Sequence, residues 1–396
     1  MSSPIHIDRN RPKLLVLVSH PIQYYAPLYR CLAERGKVAL TVVYLSDAGA
    51  TAHLDAGFSR LVEWDVPLLD GYDFRVLQPG SDINARRFWS RYADDLTCVL
   101  DREKADWILL YGYSSRMNWV ALRWARKNGV KVAYSSDSNV RDPQRRMVQA
   151  LKRVLLGWFF RRVDAFLSTS EANAEYLLKF GADQRRICRT PFAIDVQRFR
   201  RNIDAPMDGP RRYDFVWAGK FLPRKRAGDF LAALALVANR SRRVVRACVI
   251  GDGPCREALK TQASQIPRHC TVDFAGFINQ QGMPAALQSA ETLVFTSDKA
   301  PYGLIATEAA AAGLALVVAG NIGCVGDTVL ARPGVNALCY RTGDIPALAQ
   351  AMETLINDAS LRSHMQHASM AIAQGHDLSH AAQVIERVIA KVDNHA

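Results

Sequence analysis

The chain has 396 residues, of which 49% are hydrophobic and 22% are charged, and it carries a formal net charge of +13. That length exceeds a single ordinary hydrophobic core and predicts two or three domains, and the composition excludes a disordered chain. The basic charge is compatible with nucleic acid, an anionic membrane or a small anionic ligand, and it does not choose among them.

The first half of the chain alternates short β-branched runs with segments of helical length. Its opening segment, residues 1–13, lacks the apolar core of a signal peptide, and no uninterrupted apolar stretch is long enough to span a membrane. We therefore expect a cytoplasmic protein, either free or peripheral to the inner face of the membrane. The predicted strands are 14–19, 38–46, 106–112, 130–136 and 164–170, and helical patterns cover 116–128 and 143–162.

A polar segment rich in Pro, Gly and Asp, residues 195–212, interrupts this alternation and is typical of a linker. Continuous apolar strands separated by helices predict parallel sheets covered on both faces. The fold class is therefore α/β, with two Rossmann-like doubly wound domains, 1–205 and 206–375, facing a central cleft. The last helical stretch, 376–396, can pack on either domain, including back on the first. The predicted strands of the second half are 213–219, 244–251, 271–276, 292–297 and 315–320.

Two loops after strands of the first half carry side chains suited to a polar substrate. The loop 19–27 reads SHPIQYYAP, and its His20, Gln23, Tyr24 and Tyr25 can hydrogen-bond and stack on an acceptor. The loop at 134–139 offers Asp137, which can contact a sugar hydroxyl or, equally, cap a turn.

A basic turn in AGKFLPRKR, residues 218–226, is the first candidate in the second half. Gly219 ends a strand, and Lys220 and Lys225 flank the turn into the next helix. Two ammonium groups beside a helix N-terminus are placed to hold a diphosphate. The alternative is a solvated basic turn.

Two glycine-containing turns follow along the chain. In VIGDGPCREAL, Arg256 stands where a dinucleotide-binding fingerprint has its third glycine. Gly251 and Gly253 therefore indicate instead a tight turn that lets the backbone approach a ligand. In FAGFI the main chain at Phe277 and Ile278 can accept the edge of a base.

The segment TSDKAPYGLIATEAAAAGLALVVAG, residues 296–320, is the most specific pattern in the chain. After Tyr302, the pair Gly303 and Leu304 opens a helix that Gly313 closes, so its first amide groups can face a phosphate. Glu308, set among alanines, can accept the two hydrogen bonds that a ribose diol donates. The alternative for Glu308 is an ordinary surface glutamate.

These segments, in this order, resemble the C-terminal domain of family 4 glycosyltransferases, which are retaining, metal-independent enzymes of the GT-B fold. The diphosphate segment of that family matches Gly219, Lys220, Phe221 and Lys225, with lysine in place of arginine. Its second motif matches APYGLIATEA, residues 300–309, so that the ribose-binding glutamate falls on Glu308. The first glutamate of that motif, which contacts the transferred sugar, is replaced by Ala300, and Asp298 is a possible substitute.

The resemblance implies sugar transfer from a UDP- or GDP-sugar to an acceptor (a glycan, a lipid or a small molecule) held by the first domain. It implies retention of anomeric configuration, with no cofactor and no metal. The leaving phosphate then takes the proton of the acceptor, and Lys220, Lys225 and Asp137 are the catalytic candidates. The alternatives are an epimerase or phosphorylase of the same fold, or a non-catalytic nucleotide-binding protein. Because aromatic and basic residues are not interleaved along one groove, we do not expect nucleic acid as a partner.

The segment 141–162 carries seven Arg or Lys residues against one Asp, together with Trp158, Phe159 and Phe160. This pattern indicates either a helix lying on an anionic membrane or an ordinary covering helix with a basic outer face. Four histidines near the C-terminus (His364, His367, His376 and His380) lack the carboxylate or cysteine that would complete a familiar metal site. The eight cysteines form no C-x-x-C pair, which argues against zinc-ribbon and thioredoxin-like sites.

Overall fold

The computed structural model describes residues 11–81, 88–141, 146–200, 211–241 and 243–390. Its first half forms a parallel sheet with the strand order β5-β2-β1-β6-β7-β8-β9, and a separate antiparallel hairpin joins β3 to β4. The strands are β1 (Lys13–Val18), β2 (Ala39–Tyr44), β3 (His53–Asp55), β4 (Arg60–Val62), β5 (Asp73–Val76), β6 (Trp107–Tyr111), β7 (Lys131–Ser136), β8 (Ala165–Ser168) and β9 (Ile187–Arg189). The helices are α1 (Ala26–Arg35), α2 (Leu96–Glu103), α3 (Arg116–Lys127), α4 (Arg146–Phe160) and α5 (Glu171–Lys179).

The second half forms another parallel sheet, with the order β12-β11-β10-β13-β14-β15. Its strands are β10 (Tyr213–Ala218), β11 (Val245–Ile250), β12 (Cys270–Gly276), β13 (Ala290–Phe295), β14 (Ala315–Ala319) and β15 (Ala337–Tyr340). The helices from the linker onward are α6 (Val196–Phe199), α7 (Ala227–Arg240), α8 (Arg256–Ala263), α9 (Met283–Gln288), α10 (Leu304–Ala311), α11 (Ile345–Asn357), α12 (Ala359–Gln374) and α13 (Leu378–Ala390).

Both sheets have the doubly wound order. The chain first adds strands on one side of the first strand and then returns to add the later strands on its other side. The reversal lies between β1 and β6 in the first sheet and between β10 and β13 in the second. Ligands of such sheets bind beyond the carboxyl ends of the strands at this switch point. The expected fold of two doubly wound α/β domains is confirmed, and the ten strands anticipated from the apolar runs are all present.

The strands that the apolar pattern missed are short and lie at sheet edges or in the hairpin. β5 and β15 are edge strands of four residues, β9 is an edge strand of three, and β3 and β4 have three residues each. An edge strand is covered on fewer sides, so its composition does not need the continuous apolar run that marks a central parallel strand.

The chain crosses between the domains twice at one place. The amide of Ile194 donates to the carbonyl of His376, 3.0 Å away, where the outgoing and returning segments meet. Ile194, Val196 and Phe199 already lie in the core of the second domain, earlier than the expected boundary at residue 205. The short helix α6, which carries Val196 and Phe199, packs against α10.

Helix α13 returns to the first domain. Its buried face, which includes Ala381 and Ile385, joins the core formed by β1, β2 and α1. Arg35 of α1 donates two hydrogen bonds, of 2.7 and 2.8 Å, to the buried carboxylate of Glu386 on α13. Among the described residues, no helix is long and apolar enough to cross a membrane.

Candidate active site

A cavity of about 820 Å³ lies between the two domains, where the carboxyl ends of both sheets face each other. The first domain lines it with the loop after β1, the β3–β4 hairpin and the loop after β7. The second domain contributes the loops after β10, β11, β12 and β13 and the start of α10. Of the site residues anticipated above, the lining includes His20, Gln23, Tyr24, Asp137, Gly219, Lys220, Lys225, Gly251, Phe277, Ile278, Tyr302, Gly303, Leu304 and Glu308.

The basic turn after β10 is fixed by the loop after β13. Thr296 donates its hydroxyl to the carbonyls of Lys225 and Arg226, at 3.1 and 2.8 Å, and accepts the indole N–H of Trp217 at 2.8 Å. Arg226 has a left-handed backbone, φ +53°, which is uncommon outside glycine. Its guanidinium is held by Asp229 at 2.6 Å and by Asp298 at 3.0 Å. The turn is therefore rigid at the point where Lys225 enters the cavity.

The Lys225 side chain lines the cavity, as does the exposed Arg224 of the same turn. Burial, together with the charges of Arg224 and Lys220, lowers the pKa of Lys225 to about 8. No carboxylate pairs with its ammonium among the described residues. Lys220 differs, because its Nζ lies 2.7 and 2.9 Å from the two carboxylate oxygens of Asp55.

Glu308 is buried, with 1% of its surface exposed. It lies on α10, where all positions from Ala306 to Ala311 are buried. Desolvation raises the pKa of Glu308 to about 7, opposed by the charge of Arg198 and a hydrogen bond with Tyr24. Its Oε1 has no hydrogen-bond partner among the residues that the structure describes. A buried acceptor that lines a cavity and lacks a partner costs free energy unless a ligand donor reaches it. The surface-glutamate alternative is therefore wrong.

Two residues that the sequence gave no reason to single out surround this carboxylate. Arg198 donates to Gln280 Oε1 at 2.8 Å, and Gln280 in turn hydrogen-bonds the Tyr24 hydroxyl. Arg198 lies in the polar linker and Gln280 in a loop, where neither residue type stands out. Only the fold brings them to Tyr24 and Glu308.

Glycines allow the strand-end loops to approach each other. Gly251 has φ +140°, and a Cβ on it would lie 1.9 Å from the Gly219 carbonyl. Gly303 has φ +103°, and a Cβ there would lie 2.4 Å from the ring of Phe295. Any other residue at either position would force the phosphate-facing backbone away from the cavity.

The Phe277 ring is covered by side chains of the first domain. Phe58 packs edge-on against it at 4.9 Å between ring centroids, and the Arg60 guanidinium lies 4.8 Å from its centroid. Trp64 lies 6.3 Å away. The slot expected for a base at Phe277 and Ile278 is therefore bounded by both domains.

The polar residues that the first domain contributes to the cavity lining lie opposite the basic turn after β10. Burial, with the charges of His53 and Arg91, lowers the pKa of His20 to about 4, so its imidazole is neutral. Its Nδ1 lies 2.8 Å from the Ser19 hydroxyl. Asp137 lines the same cavity at the end of β7.

Two anticipated residues lie outside the cavity lining. Tyr25 stacks on Tyr111 and Phe192, at 4.6 and 5.8 Å between centroids, and so supports the loop from behind. Gly253 packs against the Gly57 carbonyl and the Phe221 backbone.

Asp298, considered above as a substitute for the glutamate that Ala300 replaces, also lies outside the cavity lining. Asp298 pairs with Arg226 rather than lining the cavity. Ala300 itself is buried.

Comparison with known proteins identifies both halves of the chain. A family model described as "Glycosyl transferase 4-like domain" matches residues 21–193, and one described as "Glycosyl transferases group 1" matches residues 202–370. The glycogen synthase of Mycobacterium tuberculosis is 28% identical over 202 residues, which cover 51% of this chain and 47% of that protein. The chain thus spans about half the length of the glycogen synthase that it matches.

Two further relatives align over most of their length. The 2-deoxystreptamine glucosyltransferase of Streptomyces kanamyceticus is 26% identical, with 78% of this chain and 81% of that protein covered. Among solved structures, that of Anabaena HepE in complex with UDP and glucose superimposes with a TM-score of 0.70 at 17% identity, covering 96% of this chain and all of that one. The structural likeness establishes the shared fold.

Proposed function

Because the chain belongs to the family 4-like glycosyltransferases of the GT-B fold, we propose that it transfers a sugar from a nucleoside-diphosphate sugar to an acceptor bound by its first domain. One observation carries the proposal: the buried, partly unpartnered carboxylate of Glu308 lines the same cavity as the cationic turn with Lys225. A nucleoside-diphosphate donor carries both a ribose diol and a diphosphate, the two groups that these side chains are suited to bind.

The donor is arranged along the second domain. Glu308 accepts hydrogen bonds from the ribose hydroxyls, and Lys220 and Lys225 neutralise the diphosphate together with the amides at the start of α10. Phe277 and Ile278 receive the base. UDP and GDP are the candidate nucleotides, and the solved complexes of HepE with UDP favour UDP.

The chemistry needs no protein nucleophile. In a retaining transfer on one face of the sugar, the bond from the anomeric carbon to the β-phosphate oxygen breaks, and the acceptor oxygen forms the new bond. The proton of the acceptor passes to the leaving diphosphate. Lys225 stabilises the negative charge that develops on that diphosphate, which is electrostatic catalysis by a preorganised group.

Asp137 is the proposed partner of a sugar or acceptor hydroxyl. It comes from the first domain and lines the cavity, whereas the position of the family's sugar-binding glutamate holds Ala300. We expect Asp137→Asn to lower the turnover number while leaving the affinity for the free nucleoside diphosphate unchanged. Equal loss of both would make Asp137 a structural residue of the loop.

A panel of nucleotides and their sugars tests the function as a whole. A nucleoside diphosphate that binds the native protein and is present at 100 times its Kd should raise the free energy of unfolding by about 2.7 kcal/mol. The corresponding UDP- or GDP-sugars are then incubated with candidate acceptors, and release of the nucleoside diphosphate is measured. If no nucleoside diphosphate stabilises the protein, the proposal fails.

A membrane-bound acceptor is the second part of the proposal. On α4 the side chains of Leu151, Val154 and Leu155 point into solvent, with Leu151 62% and Val154 71% exposed. They stand at helical spacing on one face, and the exposed Arg153 and Arg161 flank them. An apolar strip with basic neighbours is suited to the interface of an anionic membrane. Residues 142–145 of the basic segment lie outside the described part of the chain.

A further inference from the structure

Lys220, a proposed diphosphate ligand of the second domain, is bound by the tip of the β3–β4 hairpin of the first. Its Nζ donates to both carboxylate oxygens of Asp55, at 2.9 and 2.7 Å. The face of the Phe58 ring lies 4.7 Å from the same ammonium group. The cation is thus enclosed by one anion and one aromatic ring, both from the opposite domain.

The hairpin tip is shaped to deliver this carboxylate. Asp55 Oδ1 also accepts the backbone N–H groups of Gly57 and Phe58, at 2.8 and 3.2 Å, which is an Asx turn. A Cβ on Gly57 would lie 2.6 Å from Lys220 Cδ, so glycine at this position lets the hairpin backbone come close to the Lys220 side chain. Although burial alone raises the pKa of Asp55, the bonds from Lys220 and the two amides lower it below its usual value. Asp55 is therefore ionised at neutral pH.

The tip reaches the second glycine turn as well. A Cβ on Gly253 would lie 2.7 Å from the Gly57 carbonyl. Gly253 is therefore in close contact with the hairpin tip. The hairpin fills the space beside the diphosphate turn.

A parallel contact is present at the other end of the donor site. The hydroxyl of Tyr24, again from the first domain, hydrogen-bonds Glu308, the proposed ribose ligand. The first domain therefore places an anion on the group for the diphosphate and a hydroxyl on the group for the ribose. Each is the chemical counterpart of the donor moiety expected there.

We propose that Asp55 is an internal competitor of the donor diphosphate: it pairs with Lys220 and is displaced from it when the diphosphate binds. The inference rests on the proposed function of the cavity. A diphosphate beside an ionised Asp55 is repelled by it, and Lys220 cannot offer its full charge to two anions at once. Binding therefore requires the hairpin tip to leave Lys220, and departure of the nucleoside diphosphate product lets it return. Asp55 weakens the hold on the product and so promotes its release.

The test compares Asp55→Asn with a matched control. Asparagine retains the acceptor oxygen of the Asx turn and removes only the charge. The control is Asp65→Asn. Asp65 is also a carboxylate of the first domain that contacts the second domain, where it accepts the backbone N–H of Gln281 at 3.1 Å, away from Lys220. UDP and uridine are titrated into each protein by calorimetry.

We expect Asp55→Asn to tighten UDP binding about two- to fivefold, because it removes one partly exposed ion pair that competes with the ligand. Uridine affinity should stay unchanged, and Asp65→Asn should bind both ligands as the wild type does. Weaker UDP binding by Asp55→Asn would mean that Asp55 positions Lys220, and unchanged binding would mean that the pair is irrelevant. Equal tightening by Asp65→Asn would assign the effect to domain opening. Each of these outcomes overturns the inference.

A second variant covers the case in which Asp55→Asn is unstable, and a separate measurement tests the donor site itself. Asp55→Ser also retains a turn-forming oxygen without charge, and it replaces Asp55→Asn if that protein is unstable. Lys225→Ala reports on the donor site itself. If wild type and Lys225→Ala bind UDP equally, the proposed donor site fails; if Lys225→Ala binds UDP weakly while Asp55→Asn does not tighten it, only the role of Asp55 fails.

Discussion

The hydroxyl of Thr296 lies 3.1 Å from the carbonyl oxygen of Lys225 and donates to it, tying the end of β13 to the basic turn after β10. The two strands lie on either side of the switch point of the second sheet. This bond fixes the backbone from which the Lys225 side chain enters the cavity. The proposed diphosphate site therefore depends on two loops whose bonded residues, Lys225 and Thr296, are 71 positions apart in sequence.

The charge of Lys225 should be felt by the diphosphate alone. We expect Lys225→Ala to weaken UDP binding about 10- to 150-fold, since one charge-assisted hydrogen bond is worth about 1.5–3 kcal/mol. The affinity for uridine should not change. Titration calorimetry measures both, with Lys260→Ala, a lysine outside the cavity lining, as the control. Equal losses for UDP and uridine would place the phosphates elsewhere.

Donor binding should take up a proton near pH 8.5. Lys225, with its pKa at about 8, is mostly neutral at that pH, and a bound diphosphate favours the ammonium form. UDP affinity should therefore fall as the pH rises above 8. Calorimetry in buffers of different ionisation enthalpy reveals the proton, and Lys225→Arg, which stays charged, should abolish the uptake. Identical binding heats in all buffers would contradict the shifted pKa.

Glu308 should recognise the ribose diol. We expect Glu308→Ala to cost about 10- to 150-fold in UDP affinity, and Glu308→Gln to cost less because one acceptor oxygen remains. A 2′,3′-dideoxy form of UDP should bind the wild type poorly and be almost indifferent to Glu308→Ala. The control is Glu257→Ala, on the exposed face of α8. Wild-type affinity of Glu308→Ala for every nucleotide would leave a shared fold without the shared site.

The buried carboxylate of Glu308 should lower the free energy of unfolding as the pH rises. Its folded-state pKa of about 7 lies above the ordinary 4.5, so the native state binds the proton more tightly than the unfolded state does. The stabilising contribution is complete below pH 4.5 and is lost as the pH rises to about 7. Over that window the wild type should lose about 3 kcal/mol relative to Glu308→Gln, as followed by urea unfolding. Parallel pH profiles for the two proteins would show that Glu308 is ionised without penalty.

The exposed strip of α4 should bind anionic membranes. We expect phosphatidylglycerol-containing vesicles to sediment the wild type at low salt and to release it as salt is added. Leu151→Asp with Val154→Asp should abolish sedimentation, because the apolar contact is replaced by repelled charges. Val335→Asp, at an exposed aliphatic residue of the second domain, is the control. Vesicles that fail to retain the wild type at low salt would leave α4 as a covering helix.

The strands of both domains followed from the sequence because a buried parallel strand must be apolar throughout. The run from Leu14 to Val18 and the run from Ala315 to Ala319 are buried at every position, as their composition indicates. Glu308 stood out as a lone carboxylate among alanines, but only its burial in the structure excluded the ordinary surface glutamate. Local composition thus determined the two sheets, the linker region and the glycine-rich turns at the strand ends.

The partners of those residues were decided only by the tertiary structure. Asp55 and Lys220 are 165 positions apart, and nothing in either local pattern indicates the other. Asp298, considered as a substitute for the missing glutamate, instead pairs with Arg226, 72 positions earlier in the chain. Electrostatic and hydrogen-bond pairing depends on distances of a few ångströms in space, which the spacing of residues along a chain does not encode. The sequence by itself determined which strand ends carry the candidate donor ligands, and the packing of the two domains decided which groups contact them.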